Sequence, residues 1–410
     1  MKEAARTSVL SRRWRYLWTS ISGSLDFDES RIVYEMRMGL VDKSLQVEWC
    51  RFVDWVNQVL NLHQAPTLGE FRVCFDMDDK VSKCHIDSWI KFAIRKRVKR
   101  LELDFTCSWG YLIRENYILT SQLFGNSHIG SLTELRLTCV DVTGEVIEYF
   151  LLNCPFLEVL RVATSKSLVD LKISGPSLKL KNLEIVGCHC LKNIEISAIN
   201  LVSFEYAGPK ISMLFKNVPR LVKASIGGPY GRFLVNNVGQ ISSSFFQLET
   251  LILNLCSLFT SIPKFPELSN LKQLELVLNG SSGRSLLDCT SLLKASPSLY
   301  RFVLKFEGLY ESKQEKFKVK VRKAKCTHRC LKVVELVGFV GCTIDIELAL
   351  YVLKNAVSLE KIIIDPRSVY PTGTQWDCED LWDPEDKLEA RARAKLLETR
   401  LPPGVELVIL

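Results

Sequence analysis

Leu132-Thr-Glu-Leu135-Arg-Leu137 reads as Leu, two residues, Leu, one residue, Leu, and the same phrase returns along the chain. Copies stand at Leu157-Glu-Val-Leu160-Arg-Val162, Leu168-Val-Asp-Leu171-Lys-Ile173, Leu191-Lys-Asn-Ile194-Glu-Ile196 and Leu201-Val-Ser-Phe204-Glu-Tyr206. Later copies are Leu248-Glu-Thr-Leu251-Ile-Leu253, Leu271-Lys-Gln-Leu274-Glu-Leu276, Leu299-Tyr-Arg-Phe302-Val-Leu304 and Leu359-Glu-Lys-Ile362-Ile-Ile364. In each, the last apolar pair alternates with another residue, polar in most copies, as on a short strand with one buried face. The first Leu enters the same core from the turn ahead of the strand. One such unit cannot bury its own apolar face, but stacked neighbours can.

A longer version of the phrase carries a helix. Leu152-Asn-Cys-Pro155, Phe215-Lys-Asn-Val-Pro219 and Leu293-Lys-Ala-Ser-Pro297 each read as an apolar helical end, a breaker and then the strand. Proline cannot continue a helix and disfavours helical geometry in the residue before it. Leu353-Lys-Asn-Ala-Val357 repeats the pattern with Val in the breaker's place. Steps of 25 residues (Leu132 to Leu157) leave room for a helix, whereas steps of 11 (Leu157 to Leu168) and 10 (Leu191 to Leu201) leave room for a turn. The predicted fold is α/β: a leucine-rich-repeat solenoid with a curved parallel sheet, helices on the convex side at both ends, and bare turns across the middle.

The 410 residues are 47% hydrophobic and 24% charged, the proportions of a folded chain. No stretch has the unbroken apolar length of a membrane-spanning helix, and the N-terminus lacks the apolar core of a secretory signal. The fourteen cysteines are scattered, which suits a reducing compartment, cytoplasm or nucleus. The net charge of +8 is moderately basic.

The N-terminal stretch Lys2-Glu-Ala-Ala-Arg6-Thr-Ser-Val-Leu10-Ser-Arg-Arg-Trp14-Arg-Tyr-Leu17-Trp18 places Leu10, Trp14, Leu17 and Trp18 on one helical face, with Ser11 as a possible cap. Its wording resembles the second half of a plant F-box. Cys330-Leu-Lys-Val-Val-Glu335-Leu-Val-Gly-Phe339, then Glu347 to Ala356, then Leu359 to Pro366, and the ending Leu401-Pro-Pro-Gly-Val-Glu-Leu-Val-Ile-Leu410, are similar to the FBD region of the same proteins. The resemblance to the plant F-box/FBD/leucine-rich-repeat family covers essentially the whole chain. It divides the chain into an F-box remnant (1–22), an irregular repeat solenoid (45–325) and an FBD-like cap (326–410).

The resemblance implies a substrate-recognition subunit of a cullin-RING ubiquitin ligase. The F-box would bind the Skp adaptor, and through it a cullin, while the repeats bind a target protein. The chain itself would do no chemistry. The family's F-box extends further upstream, so a shortened adaptor-binding surface is expected, with docking weakened or the true start lying before Met1. The residues expected at the adaptor are Val9, Leu10, Arg13, Trp14, Leu17 and Trp18. Those expected at the target are the charged residues of the concave strands: Glu134, Arg136, Glu158, Arg161, Lys172, Glu195, Glu205, Glu249 and Glu275. A repeat scaffold that no longer docks on the adaptor is the alternative.

Catalytic and cofactor signatures are missing from the sequence. His63, His85, His128, His189 and His328 stand in no nucleophile or base arrangement. Gly227-Gly228-Pro229-Tyr230-Gly231 lacks a phosphate-loop ending and reads as a turn ahead of no clear helix. Cys188-His189-Cys190 and Cys326-Thr-His328-Arg-Cys330 lack the spacing of a tetrahedral metal site, and core packing is the better account of the first. The basic runs Lys91 to Arg100 and Lys316 to Lys325 hold a single aromatic each and no nucleic-acid module, and they read as solvated faces, which argues against a nucleic-acid partner. Asp383-Pro384-Glu385 reads as the start of a terminal helix, with Leu388, Ala392, Leu396 and Leu397 facing inward and a final strand behind it. The loop ahead of it, 367–376, carries turn residues.

Overall fold

The alternation in the repeated phrase is realised as parallel strands with one buried face. The computed structural model describes residues 17–77, 79–105, 115–125, 129–175, 178–237, 243–255, 265–279, 289–307, 327–366 and 384–410. The chain divides into two compact units, Met1–Val202 with Ile211–Arg220, and Ser203–Lys210 with Leu221–Leu410.

In the first unit six strands follow one another in the sheet: Ser24–Asp28, Glu70–Cys74, Arg100–Asp104, Glu134–Thr138, Val159–Ala163 and Asn182–Val186. All are parallel and in register, so Leu25, Phe71, Leu101, Leu135, Leu160 and Leu183 form one row. These residues are no more than 1% exposed. Each contributes about 1.5–3 kcal/mol by leaving water. The turn leucines Leu132 and Leu157, both 2% exposed, enter the same core. At the turn, each N–H reaches the carbonyl one repeat earlier: Glu158 to Thr133, Lys181 to Glu158 and Val202 to Lys181, all at 2.8 Å.

The longer steps hold helices. Leu45–Leu62 and Asp79–Arg95 lie between early strands and share an aromatic cluster, with Phe52 stacked on Phe75 at 4.4 Å and Trp55 edge-on to Phe27 at 5.0 Å. Trp89 Nε1 donates to Asn57 Oδ1 at 2.8 Å, which joins the two helices. The helix Gly144–Asn153 is capped by Thr143, whose Oγ1 accepts from Val146 N at 3.4 Å, and it ends before Pro155 as the sequence predicts.

The short steps are not bare turns. Asp170–Ser174, Asn193–Ser197 and Ser212–Asn217 form a second, three-stranded parallel sheet. The physical reason is length: 10 or 11 residues cannot hold a helix and two turns, but they hold a five-residue strand. Phe215-Lys-Asn217, expected as a helical end, is therefore strand, and Phe215 pairs with Ile196. Helix Gly144–Asn153 packs beside strand Asp170–Ser174. A Cβ on Gly144 would stand 2.2 Å from the Asp170 oxygen, so the approach requires glycine.

The second unit has eight parallel strands in order: Ser203–Ala207, Lys223–Gly227, Thr250–Leu255, Gln273–Asn279, Arg301–Glu307, Val333–Val337, Lys361–Asp365 and Glu406–Ile409. The register continues unbroken from Arg301↔Val333 to Lys361↔Glu406, through the residues expected to form the C-terminal cap. The helices Thr290–Ala295 and Thr343–Asn355 end where the sequence predicts. Gly227 to Gly231, read as a turn ahead of no helix, begins the helix Gly228–Asn236, with Pro229 in its first turn. Proline there loses no intrahelical bond.

The terminal helix Pro384–Lys395 is rotated from its expected face. Leu388 and Leu396 are 64% and 63% exposed and Ala392 is exposed, while Ala390, Ala394 and Leu397 are buried. Small alanines let the helix lie close. A Cβ on Gly341 would come within 2.7 Å of the Arg393 Cβ. Residues 308–326 and 367–383, which include Lys316 to Lys325 and the loop before Asp383, lie outside the described residues. Among the described residues no helix is long and apolar enough to cross a membrane.

Candidate functional site

On the first unit's sheet, every strand turns its first and third residues away from the core. The third residues run Asp26, Arg72, Glu102, Arg136, Arg161, Glu184 across the six strands. They form an ion-pair network. Arg72 reaches Asp26 at 3.0 Å, Asp28 at 2.6 Å and Glu102 at 3.0 Å. Arg100 lies 3.7 Å from Glu70 and 3.9 Å from Glu134. Arg136 pairs with Glu134 and stands 3.7 Å from Glu184, which Arg161 meets at 2.7 Å. All four cations are arginine, whose planar fork can serve several carboxylates at once.

Burial shapes these charges. It would lower the Arg72 pKa, but the carboxylates of Asp28 and Glu102 more than offset it and hold the guanidinium firmly charged. Burial opposes ionisation of Asp28 as well, yet hydrogen bonds from Ser30 and Arg72 hold its carboxyl below the usual range. Arg136 is likewise raised against its burial, by Glu134 and Glu184.

The structure sorts the expected target-contact residues into four settings. Glu134, Arg136 and Arg161 belong to this network. Glu158 and Glu249 lie on the turns ahead of their strands and pair with the next repeat, Glu158 with Lys181 at 2.8 Å and Glu249 with Lys272 at 2.7 Å. Lys172 and Glu195 are not on the six-stranded sheet at all. They face each other on the three-stranded sheet, where Glu195 also meets Lys216 at 2.8 Å. Glu205 and Glu275 are outward third residues of second-unit strands, and Glu275 pairs with Lys305 at 2.6 Å.

Sequence reasoning missed Asp26, Arg72, Glu102 and Glu184. The signal was present in Ser24-Leu-Asp-Phe-Asp28, Glu70-Phe-Arg-Val-Cys74, Arg100-Leu-Glu-Leu-Asp104 and Asn182-Leu-Glu-Ile-Val186, which share the same alternation.

Of the expected adaptor-contact residues, Val9, Leu10, Arg13 and Trp14 lie outside the described residues. Leu17 and Trp18 open the short 3-10 turn Leu17–Ser20. Within this turn the Thr19 carbonyl accepts from Gln64 N at 2.7 Å, just past the end of helix Leu45–Leu62.

Of the two Cys/His clusters, Cys188 and His328 are buried, Cys190 and Cys330 are exposed, and Cys326 lies outside the described residues. Burial pushes the Cys188 thiol up to about 11, and its Sγ donates to the Val162 carbonyl at 3.8 Å. A thiol held that far from ionisation is packed, not poised to ligate. His328 is buried against the Tyr351 hydroxyl at 3.1 Å. Among the described residues no group of three or more His, Cys, Asp or Glu is placed to hold a metal ion.

Comparison with known proteins agrees with the repeat. The family model described as the At1g61320/AtMIF1 LRR domain matches residues 59–395. The F-box/FBD/LRR-repeat protein At5g53840 of Arabidopsis thaliana is 26% identical over 405 residues, covering 88% of this chain and 83% of that one. The F-box/FBD/LRR-repeat proteins At2g04230 and At5g56420 of the same plant are 24% and 23% identical, over 90% and 91% of this chain and 85% and 88% of their own lengths. On that match, and on the parallel in-register strands within each unit, this chain belongs to the plant F-box/FBD/leucine-rich-repeat family.

Proposed function

We propose that this chain is the target-recognition subunit of an SCF-type cullin-RING ubiquitin ligase, working in the cytoplasm or nucleus. Residues Val9 to Trp18 dock on the Skp adaptor and, through it, on a cullin. The outward sheet faces meet a target protein. The observation that carries this reading is the likeness to three proteins named F-box/FBD/LRR-repeat over 83% to 88% of their lengths. The repeat supplies what recognition needs, a broad face whose charged side chains are already held in place before a partner arrives. Such a subunit contributes proximity, bringing a bound target to the transferring enzyme.

The test is co-purification of the 410-residue chain with a plant Skp adaptor, beside a version with a complete F-box grafted ahead of Lys2. Comparable recovery of adaptor by both supports the ligase reading. Recovery by the graft alone supports a repeat scaffold that does not dock.

A further inference from the structure

The segment that leads from the expected adaptor-contact residues into the first strand is Thr19-Ser-Ile21-Ser-Gly23. By composition it is a flexible linker, short and rich in small polar residues. The structure ties it down instead. Thr19 is 1% exposed, and its carbonyl accepts from Gln64 N at 2.7 Å and Ala65 N at 3.3 Å. Gly69 N reaches the carbonyls of Ser22 at 2.9 Å and Gly23 at 2.8 Å. From the other side, the Lys96 ammonium donates to the carbonyls of His63 at 3.3 Å and Ala65 at 2.6 Å, which fixes the turn that receives the segment.

One side chain crosses from that turn to the segment. His63, 5% exposed at the end of helix Leu45–Leu62, sits 2.9 Å by its Nε2 from the Ile21 carbonyl. A carbonyl only accepts, so the proton is on Nε2 and the imidazole is the donor. Its ring is held edge-on by Phe92, 5.7 Å away. The imidazole's other nitrogen, Nδ1, is buried with no hydrogen-bond partner. Packing alone would be met by an apolar side chain at lower cost, because an unpartnered buried nitrogen is unfavourable. The bond to Ile21 is what a histidine adds here.

We propose that His63 is a positioning residue: by holding Ile21 it fixes the link Thr19 to Gly23, which follows the expected adaptor-docking residues, to the first repeats. This rests on the ligase reading above. A target on the sheet would then be presented to the transferring enzyme from a fixed distance. A slack linker would spread the same target over a larger volume and lower its effective concentration there.

The test uses the full chain with His63→Leu, which fills the space without donating, and His63→Gln, whose amide can donate to the same carbonyl. Amide hydrogen exchange is read at Gln64, Ala65 and Gly69, with strand Arg100–Asp104 as internal reference. In His63→Leu those three amides exchange about tenfold faster, the size of one lost hydrogen bond, while the strand is unchanged. His63→Gln returns toward native protection. In a reconstituted ligase saturated with adaptor, ubiquitin transfer onto the chain's own lysines falls several-fold in His63→Leu at unchanged adaptor affinity. Native exchange or native transfer in His63→Leu overturns the proposal, as does failure of rescue by His63→Gln or loss of protection throughout the reference strand. If the native chain does not bind the adaptor, the ligase reading fails and the positioning role falls with it. If the adaptor binds and His63→Leu behaves as native, the positioning role fails alone.

Discussion

Arg72 and Asp28 lie on neighbouring strands, and the guanidinium meets the carboxylate at 2.6 Å while also gathering Asp26 and Glu102. Arg72 is 15% exposed and Asp28 23%, so the pair is only partly screened by solvent. Removing the arginine leaves three carboxylates facing one another. Arg72→Met should cost about 2 kcal/mol, discounted from the larger penalty of a fully buried broken pair. Urea unfolding measures it, and Asp28→Asn in the Arg72→Met background should recover part of the loss. A cost within error of zero would mean that the network does not stiffen the sheet face.

Gly144 is required by the approach of its helix to the Asp170 backbone, where a Cβ would stand 2.2 Å from a carbonyl oxygen. Gly144→Ala should destabilise by about 1–3 kcal/mol despite alanine's better helix propensity. Thermal unfolding of Gly144→Ala beside Glu145→Ala separates the steric cost from a general effect at the helix start.

Thr164 holds φ at +57° just after strand Val159–Ala163, and Gly187 occupies the same place after Asn182–Val186 at +66°. A β-branched residue is strained in that region. Its side chain is exposed, so little packing is lost by removing it. Thr164→Gly should raise stability by about 0.5–1 kcal/mol, the strain relieved minus the added chain entropy. Denaturant midpoints at constant slope provide the check.

Asp345 is buried near the start of helix Thr343–Asn355, and burial pushes its carboxyl up to about 6 although Val340 and Gly341 donate to it at 3.0 Å. The folded pKa is above the unfolded one, so the folded state holds the proton where the unfolded state has released it. Asp345 therefore favours folding most below about pH 4 and loses that contribution as pH rises through about 6. Asp345→Asn keeps an acceptor for both N–H groups and does not titrate. Its stability relative to native should increase between about pH 4 and 6 by up to about 3 kcal/mol, then level off. A flat difference across that window would contradict the shift.

The repeated phrase shows how far the sequence reaches. Leu157-Glu-Val-Leu160-Arg-Val162 and Leu168-Val-Asp-Leu171-Lys-Ile173 have the same pattern, and both become strands with buried apolar pairs. They fall on different sheets, which puts Arg161 in the network and Lys172 outside it. Alternation encodes which face of a strand is buried, not which sheet the strand joins. That is decided by step length: Leu157, Leu180 and Leu201 stand a full coil apart, with Leu168 and Leu191 half-way between. The knot around His63 was illegible for another reason. A histidine's bond to a carbonyl 42 residues away leaves no local trace. The terminal helix misled because leucines outweigh alanines in any apolar count, whereas the face that is buried carries Ala390, Ala394 and Leu397.

The most direct test of the account is a calorimetric titration of a plant Skp adaptor into the native chain, into Leu10→Glu with Trp14→Glu, and into Glu102→Gln. The account predicts a one-to-one complex with the native chain, its loss in the double variant, and unchanged binding in Glu102→Gln, whose change lies on the face proposed for the target. No heat with the native chain, or equal binding by the double variant, would contradict it.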